Sequence, residues 1–330
     1  MSRRRFLIAQ GIWLLAVATN TLGQAGHVKR ISVLSSDTLN FDHPVWRAFL
    51  EALKESGYIE KRDFLVESRA AEGQLDKLPA LAAQLVATKP AVLITSSTAG
   101  TTAARNATAS VPIVFVGIGN PVRIGLIASL RRPGGNITGV SGAIPGGGAG
   151  LDGKLFELIR DTLPKSNRIA TLMNNADPVH RRYLDRISPA AAAKGFEMLT
   201  IYVARAEDLE RAFADLATMQ MDALYVPDLS LFHVQAPRIG ELARKTRVPL
   251  FARPPISDYA GGLISLDIDH VENWRRAGKV VSQILKGGKP AEIPVEQPER
   301  VYLTINLKTA REIGVSIPQS VLIRANRVIE

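Results

Sequence analysis

The chain has 330 residues, 46% of them hydrophobic and 22% charged, with a formal charge of +10 and no cysteine. That length suits two α/β domains with sizeable cores rather than one, and the composition is that of an ordinary globular protein. The lack of cysteine excludes disulfides, thiolate metal sites and a lipidated N-terminal cysteine, and scattered basic residues without interleaved exposed aromatics argue against nucleic acid as a partner.

Residues Met1–Ala25 have the layout of an export signal. Arg3, Arg4 and Arg5 precede the apolar run Phe6–Ala18, and small and polar residues follow, ending in Gly23-Gln24-Ala25. The apolar run falls short of the roughly 20 residues a membrane-spanning helix needs. Ser2-Arg3-Arg4-Arg5-Phe6-Leu7 also fits the twin-arginine pattern. The expectation is a periplasmic protein cleaved near Ala25. Its remainder carries 38 basic against 31 acidic residues, or +7.

Beyond Ala25 strand-like and helix-like segments alternate. Arg30–Ser35 reads as a strand. His43–Ser56 reads as an amphipathic helix through Val45, Trp46, Phe49, Leu50 and Leu53, closed by Gly57. Phe64–Ser68 is the next strand. Asp76–Thr88 is a helix with Pro79 in its first turn, where the missing N–H costs little. The segment Ala91–Pro121 then holds two short apolar strands, Ala91–Thr95 and Pro112–Gly117, around an Ala/Thr-rich helix. Ile124–Leu130 is expected to be a helix and Asn136–Val140 a fifth strand. Glycine-rich Ser141–Gly153 breaks the periodicity and reads as a linker.

A second series follows: helix Leu151–Leu163, strand Arg168–Met173, helix Val179–Lys194, strand Glu197–Val203, helix Ala206–Met219 and strand Ala223–Val226. Helix Gln235–Thr246, strands Pro249–Ala252 and Leu263–Leu266, and helix Val271–Leu285 continue it. A Pro-rich connector, strand Val301–Ile305, helix Leu307–Ile313 and a tail complete the chain. The fold class is therefore α/β, with two doubly wound parallel-sheet lobes facing each other across a cleft. The expected division is 26–141 with about 268–300 in lobe 1 and 142–267 in lobe 2, with 301–330 unassigned.

In open sheets of this kind ligands sit at the carboxyl ends of the strands. The polar residues expected there are Ser35, Ser36, Ser96, Ser97, Thr98, Asn120, Ser141, Asn174, Asn175, Asp228 and Asp267. Each alone is a common helix cap or turn former; their recurrence after nearly every strand is the signal. Hydroxyls and amides supply neutral hydrogen bonds, and Asp228 can pair with an ammonium group. Together they suit a zwitterion such as an amino acid, with the carboxylate on one domain and the amine on the other.

Catalytic motifs fail in turn. Gly148-x-x-x-x-Gly153-Lys154 continues with Leu155 where a P-loop needs Ser or Thr, and Val122 stands where a dinucleotide fingerprint opened by Gly117-Ile118-Gly119 needs its third glycine. The five histidines lack metal-ligand spacing, and no Gly-x-Ser-x-Gly elbow occurs. No catalytic residue, cofactor or metal is expected.

Several segments resemble one family along almost the whole mature length. They are Arg30–Ser35, Phe49–Gly57 (FLEALKESG), Leu78–Val86 with Val92–Ser97, Val111–Pro121, Gly125–Ser141 (GLIASLRRPGGNITGVS), Gly287–Pro298 (GGKPAEIPVEQP) and Ile305–Pro318 (INLKTAREIGVSIP). The chain is similar to the tryptophan/tyrosine-type solute-binding proteins of ABC transporters. That resemblance implies a periplasmic-binding-protein fold, type I-like, whose lobes close on a small ligand and then dock on a membrane permease. It implies a monomer without enzymatic activity, with Ser35-Ser36, Ser96–Thr98, Asn120 and Ser141 on one side of the cleft and Asn174-Asn175 and Asp228 on the other. Gly146–Gly150, Leu266-Asp267 and Asn174-Asn175 depart from the family's usual residues at cleft positions. A sensor or accessory protein for a signalling receptor is the second reading, and a periplasmic enzyme the third.

Overall fold

The computed structural model describes residues 28–144, 150–174, 179–253 and 261–330. The proposed export signal, Asn175 and residues 145–149 of the glycine-rich segment lie outside them.

The first lobe is built on five parallel strands, β1 (Lys29–Ser35), β2 (Phe64–Ala70), β3 (Val92–Thr95), β4 (Ile113–Ile118) and β5 (Ile137–Ser141), in the order β2-β1-β3-β4-β5. Continuous apolar runs are what a sheet covered on both faces requires. In β4 the side chains alternate between two cores. Val114 and Val116 join Phe49 and Leu53 of α1 (Pro44–Glu55). Ile113 and Phe115 face the other way, against Leu85 of α2 (Leu78–Ala87) and Ala104 of α3 (Thr98–Ala107). Helix α1 starts at Pro44, behind a cap in which His43 Nδ1 accepts from the Val45 N–H.

The second lobe holds β6 (Arg168–Met173), β7 (Glu197–Tyr202), β8 (Ala223–Val226), β9 (Leu250–Ala252), β10 (Ile264–Ile268), β11 (Val301–Asn306) and β12 (Arg327–Ile329). Their order is β12-β11-β10-β9-β8-β6-β7, and only the β10–β11 pair is antiparallel. The same alternation splits β8. Ala223 and Tyr225 face α4 (Gly150–Thr162) and α5 (Val179–Ala192), while Leu224 and Val226 face α6 (Leu209–Thr218), α7 (Ser230–Val234) and α8 (Ala236–Thr246). The C-terminal strands β11 and β12, whose lobe the sequence leaves open, extend this sheet.

Three connections join the two sheets: β5 to α4, β10 to α9 (His270–Leu285), and the segment from Glu296 to β11. Although α9 follows a strand of the second sheet, it packs on the first. Its Ala277, Val280, Val281 and Ile284 share a core with Ile31, Val33 and Phe49. Gly278 permits the approach to α1, since a Cβ there would lie 2.7 Å from the Phe49 carbonyl oxygen and 2.8 Å from the Ala52 Cβ. The β5–α4 connection leaves the carboxyl end of β5 in the first sheet and leads to α4, which packs in the core of the second lobe.

Some expectations need correction. Ile124–Leu130 is a series of turns rather than a helix. Gly125 takes a φ of +73°, which interrupts a helical path, while Leu126 and Ile127 still bury themselves in the core. The glycine-rich segment ends earlier than expected, because α4 already begins at Gly150. Helix α7 was not foreseen; the expected helix Leu307–Ile313 is present as α10, and the tail beyond it contains α11 (Gln319–Leu322) and β12.

Candidate ligand site at the carboxyl ends of the strands

In the first lobe the chain leaves β1 toward β2 on one side and returns to β3 on the other, so the topological switch lies between the carboxyl ends of β1 and β3. A crevice opens at such a point because the helices depart to opposite faces. Ser35 and Ser36 end one strand, and Ser96, Ser97 and Thr98 follow the other. Some of these hydroxyls serve the local fold. Ser35 Oγ accepts from the Asp37 N–H at 3.1 Å, and Ser36 donates to Asp37 Oδ2 at 3.3 Å. Ser97 caps α3, accepting from the Gly100 N–H at 3.0 Å. The half-buried Ser96 and Thr98 make no side-chain hydrogen bond among the described residues.

The next two strand ends are tied more tightly. Asn120 accepts from the Arg123 N–H at 3.0 Å and is exposed. Ser141, almost fully buried, donates to the Ile118 carbonyl at 3.1 Å and accepts from the Ala143 N–H at 3.0 Å. It thus braces β5 against β4 where the connection to the second lobe departs. Gly142 is needed beside it, because a Cβ there would meet the Gly117 carbonyl oxygen at 2.3 Å.

The second lobe repeats the topology. The switch lies between β6 and β8, with the buried Asn174 after one and the half-buried Asp228 after the other. Along the same edge come Arg253, directly after β9, and Asp267, near the end of β10. The Arg253 N–H bonds to the Val226 carbonyl at 2.9 Å, which fixes its backbone beside the end of β8.

A buried charged network stands behind this edge. Asp152, in the first turn of α4, is fully buried. Its Oδ1 accepts from Tyr225 at 2.6 Å, Tyr183 at 2.7 Å and Arg253 Nη1 at 2.9 Å. Its Oδ2 lies 3.0 Å from Arg186 Nη2, an ion pair whose angles do not meet hydrogen-bond geometry. Burial by itself would raise the Asp152 pKa, yet the two guanidiniums and two phenols outweigh it and hold the carboxyl below the usual range. Burial, and then the Asp152 charge, push Tyr183 and Tyr225 well above the ordinary phenol value. Burial acts against the Arg253 cation, but Asp152, Asp267, Tyr183 and Asp228 together raise its pKa. Asp267 Oδ2 is 2.7 Å from His270 Nε2, and its Oδ1 is 4.0 Å from Arg253 Nη2.

Of the expected residues, Ser35, Ser36 and Ser96–Thr98 flank the switch point of the first sheet and Asn174 and Asp228 that of the second, while Asn120, Ser141 and Asp267 belong to neighbouring strand ends and Asn175 lies outside the described residues. Arg253, Asp152, Tyr183, Tyr225 and His270 were not foreseen. Arg253 could have been found, since it follows the expected strand Pro249–Ala252 just as Asp228 follows its own. Asp152 was obscured by the glycines around it.

A family model described as ABC transporter substrate binding protein matches residues 28–329. A tyrosine-binding protein of Clostridioides difficile is 26% identical over 269 residues, spanning 82% of this chain and 76% of that protein. The structure of an ABC domain in complex with L-Trp from Streptococcus pneumonia is 26% identical with a TM-score of 0.81, covering 92% of this chain and 100% of that one. A conserved domain protein from Vibrio cholerae shares the fold at a TM-score of 0.83 and 24% identity, covering 91% and 99%.

Proposed function

Because the chain belongs to the ABC transporter substrate binding protein family, we propose that it captures an amino acid or similar small zwitterion between its two strand edges and presents it to the importer's permease. The observation that carries this reading is the pair of switch points. Each lobe offers its own set of small polar or acidic side chains at the place where an open α/β sheet leaves a crevice. The tyrosine-binding relative and the L-Trp complex support an amino acid as the ligand.

Closure would follow from differential contact, since a ligand held by both edges favours the arrangement in which both touch it. Three connections between the lobes leave room for hinge bending. Residues 1–25 would act as the export signal, and the protein would work in the periplasm as a monomer without chemistry of its own. Among the described residues no helix is long and apolar enough to cross a membrane.

A thermal-shift screen of amino acids, small carboxylates and aromatic acids tests this. A ligand that binds only the folded state at 100 times its Kd stabilises by about 2.7 kcal/mol, a readily visible rise in Tm. The expected outcome is a rise with one or a few amino acids; a response to nucleotides alone would exclude the reading.

A further inference from the structure

Arg253 has a donor to spare. The residue is 8% exposed and its Nε–H has no hydrogen-bond partner, although Nη1 is fixed on Asp152. A buried guanidinium normally uses its whole fork, so an idle N–H at a ligand-binding edge marks a place where an acceptor is missing. The side chain is also held in place before any ligand arrives. Asp152 anchors it from α4, Tyr183 and Tyr225 anchor Asp152, and Asp267 flanks the remaining nitrogen at 4.0 Å. Preorganised donors of this kind are what tight binding of a carboxylate needs.

We propose that Arg253 receives the carboxylate of the ligand, so that the second lobe reads the acid group that the first lobe's hydroxyls were expected to hold. This rests on the amino-acid reading given above and deepens it. The neighbouring negative charges do not forbid an anion here. Asp152 is shared with Arg186, and Asp267 Oδ2 is engaged in a hydrogen bond with His270 Nε2. Asp228, close enough to act on Arg253 electrostatically, disfavours a bare anion but suits an α-amino acid, whose ammonium sits one carbon from the carboxylate. The ligand class is thus a zwitterion with adjacent charges. Ser96 and Thr98 on the facing edge are left to meet the rest of the molecule.

Calorimetric titration of the protein with L-tyrosine, L-tyrosinamide and tyramine, and with the corresponding tryptophan series, separates the possibilities. The wild-type chain is expected to bind the acid about 30- to 100-fold more tightly than the amide, the factor a charged hydrogen bond supplies. Arg253→Gln should remove most of that preference while leaving the affinity for the amine within about threefold. Arg253→Lys, which keeps a cation beside Asp152 but lacks the fork, guards against a folding defect and should lose the preference too. An unchanged preference for acid over amide in both folded variants overturns the proposal, as does its loss in Ser96→Ala or Thr98→Ala in place of Arg253. If the thermal screen selects another amino acid, its acid, amide and amine are titrated in the same way with the same outcomes; if the wild-type chain binds no amino acid, the amino-acid reading and this one fall together.

Discussion

At the scale of the residue, Asp152 illustrates how a buried charge becomes indispensable to its neighbours. It joins α4 to α5, β8 and the residue after β9 through one carboxylate, across as many as 101 positions of sequence. Removing one partner from such a network leaves the others charged or polar without compensation. Asp152→Ala should therefore destabilise the protein by about 3–5 kcal/mol in urea unfolding. A loss below about 1 kcal/mol would show that water reaches the cluster.

A second residue-scale prediction concerns acid. The His43 pKa is lowered, first by burial and then by the nearby His270 and Arg47. Its Nδ1 accepts the Val45 N–H at the start of α1, so the neutral ring is the one the fold uses. Because the unfolded chain takes up the proton first, this contribution is fully present above the ordinary histidine value and is lost as pH falls below it. His43→Asn keeps a capping acceptor without titrating. The variant should flatten the decline of stability as pH falls below about 6.5, followed by thermal melts. A profile as steep as the parent's would assign the decline to other groups.

At the scale of the element, the close approach of α1 and α9 depends on Gly278. Gly278→Ala inserts a methyl against backbone and should cost about 1–3 kcal/mol, the usual penalty of overpacking. Equal urea midpoints for variant and parent would mean that the two helices can part freely.

Elements were the most legible feature of the sequence. The short apolar runs expected as strands at Ala91–Thr95 and Pro112–Gly117 form β3 (Val92–Thr95) and β4 (Ile113–Ile118), bounded by turn residues and too short for a helix. The failures share a cause in backbone detail. Ile124–Leu130 has apolar spacing that suits a helix, and both kinds of structure bury Leu126 and Ile127. The positive φ at Gly125 decides between them, and composition does not announce it. The candidate site residues were legible only by position. Ser97 proved to be a helix cap and Asn120 a turn former, because the same hydroxyl or amide that could greet a ligand also satisfies the backbone beside it. Arg253 and Asp152 gain their meaning from each other, and a pairing so distant in sequence has no local signature.

At the scale of the whole molecule, two sheets with the same switch-point logic are joined by three connections. In the proposed function each sheet edge supplies one half of the site and a single small molecule is held by both at once, which paired substitutions measure directly. The titration compares the best ligand from the thermal screen with wild-type protein, with Thr98→Val on the first edge and with Asp228→Asn on the second. Each single variant should weaken binding by about tenfold or more, and Asp228→Asn by roughly 2 kcal/mol for a ligand bearing an amine. Undiminished affinity in either variant, with the ligand still bound, would contradict a site shared between the two lobes.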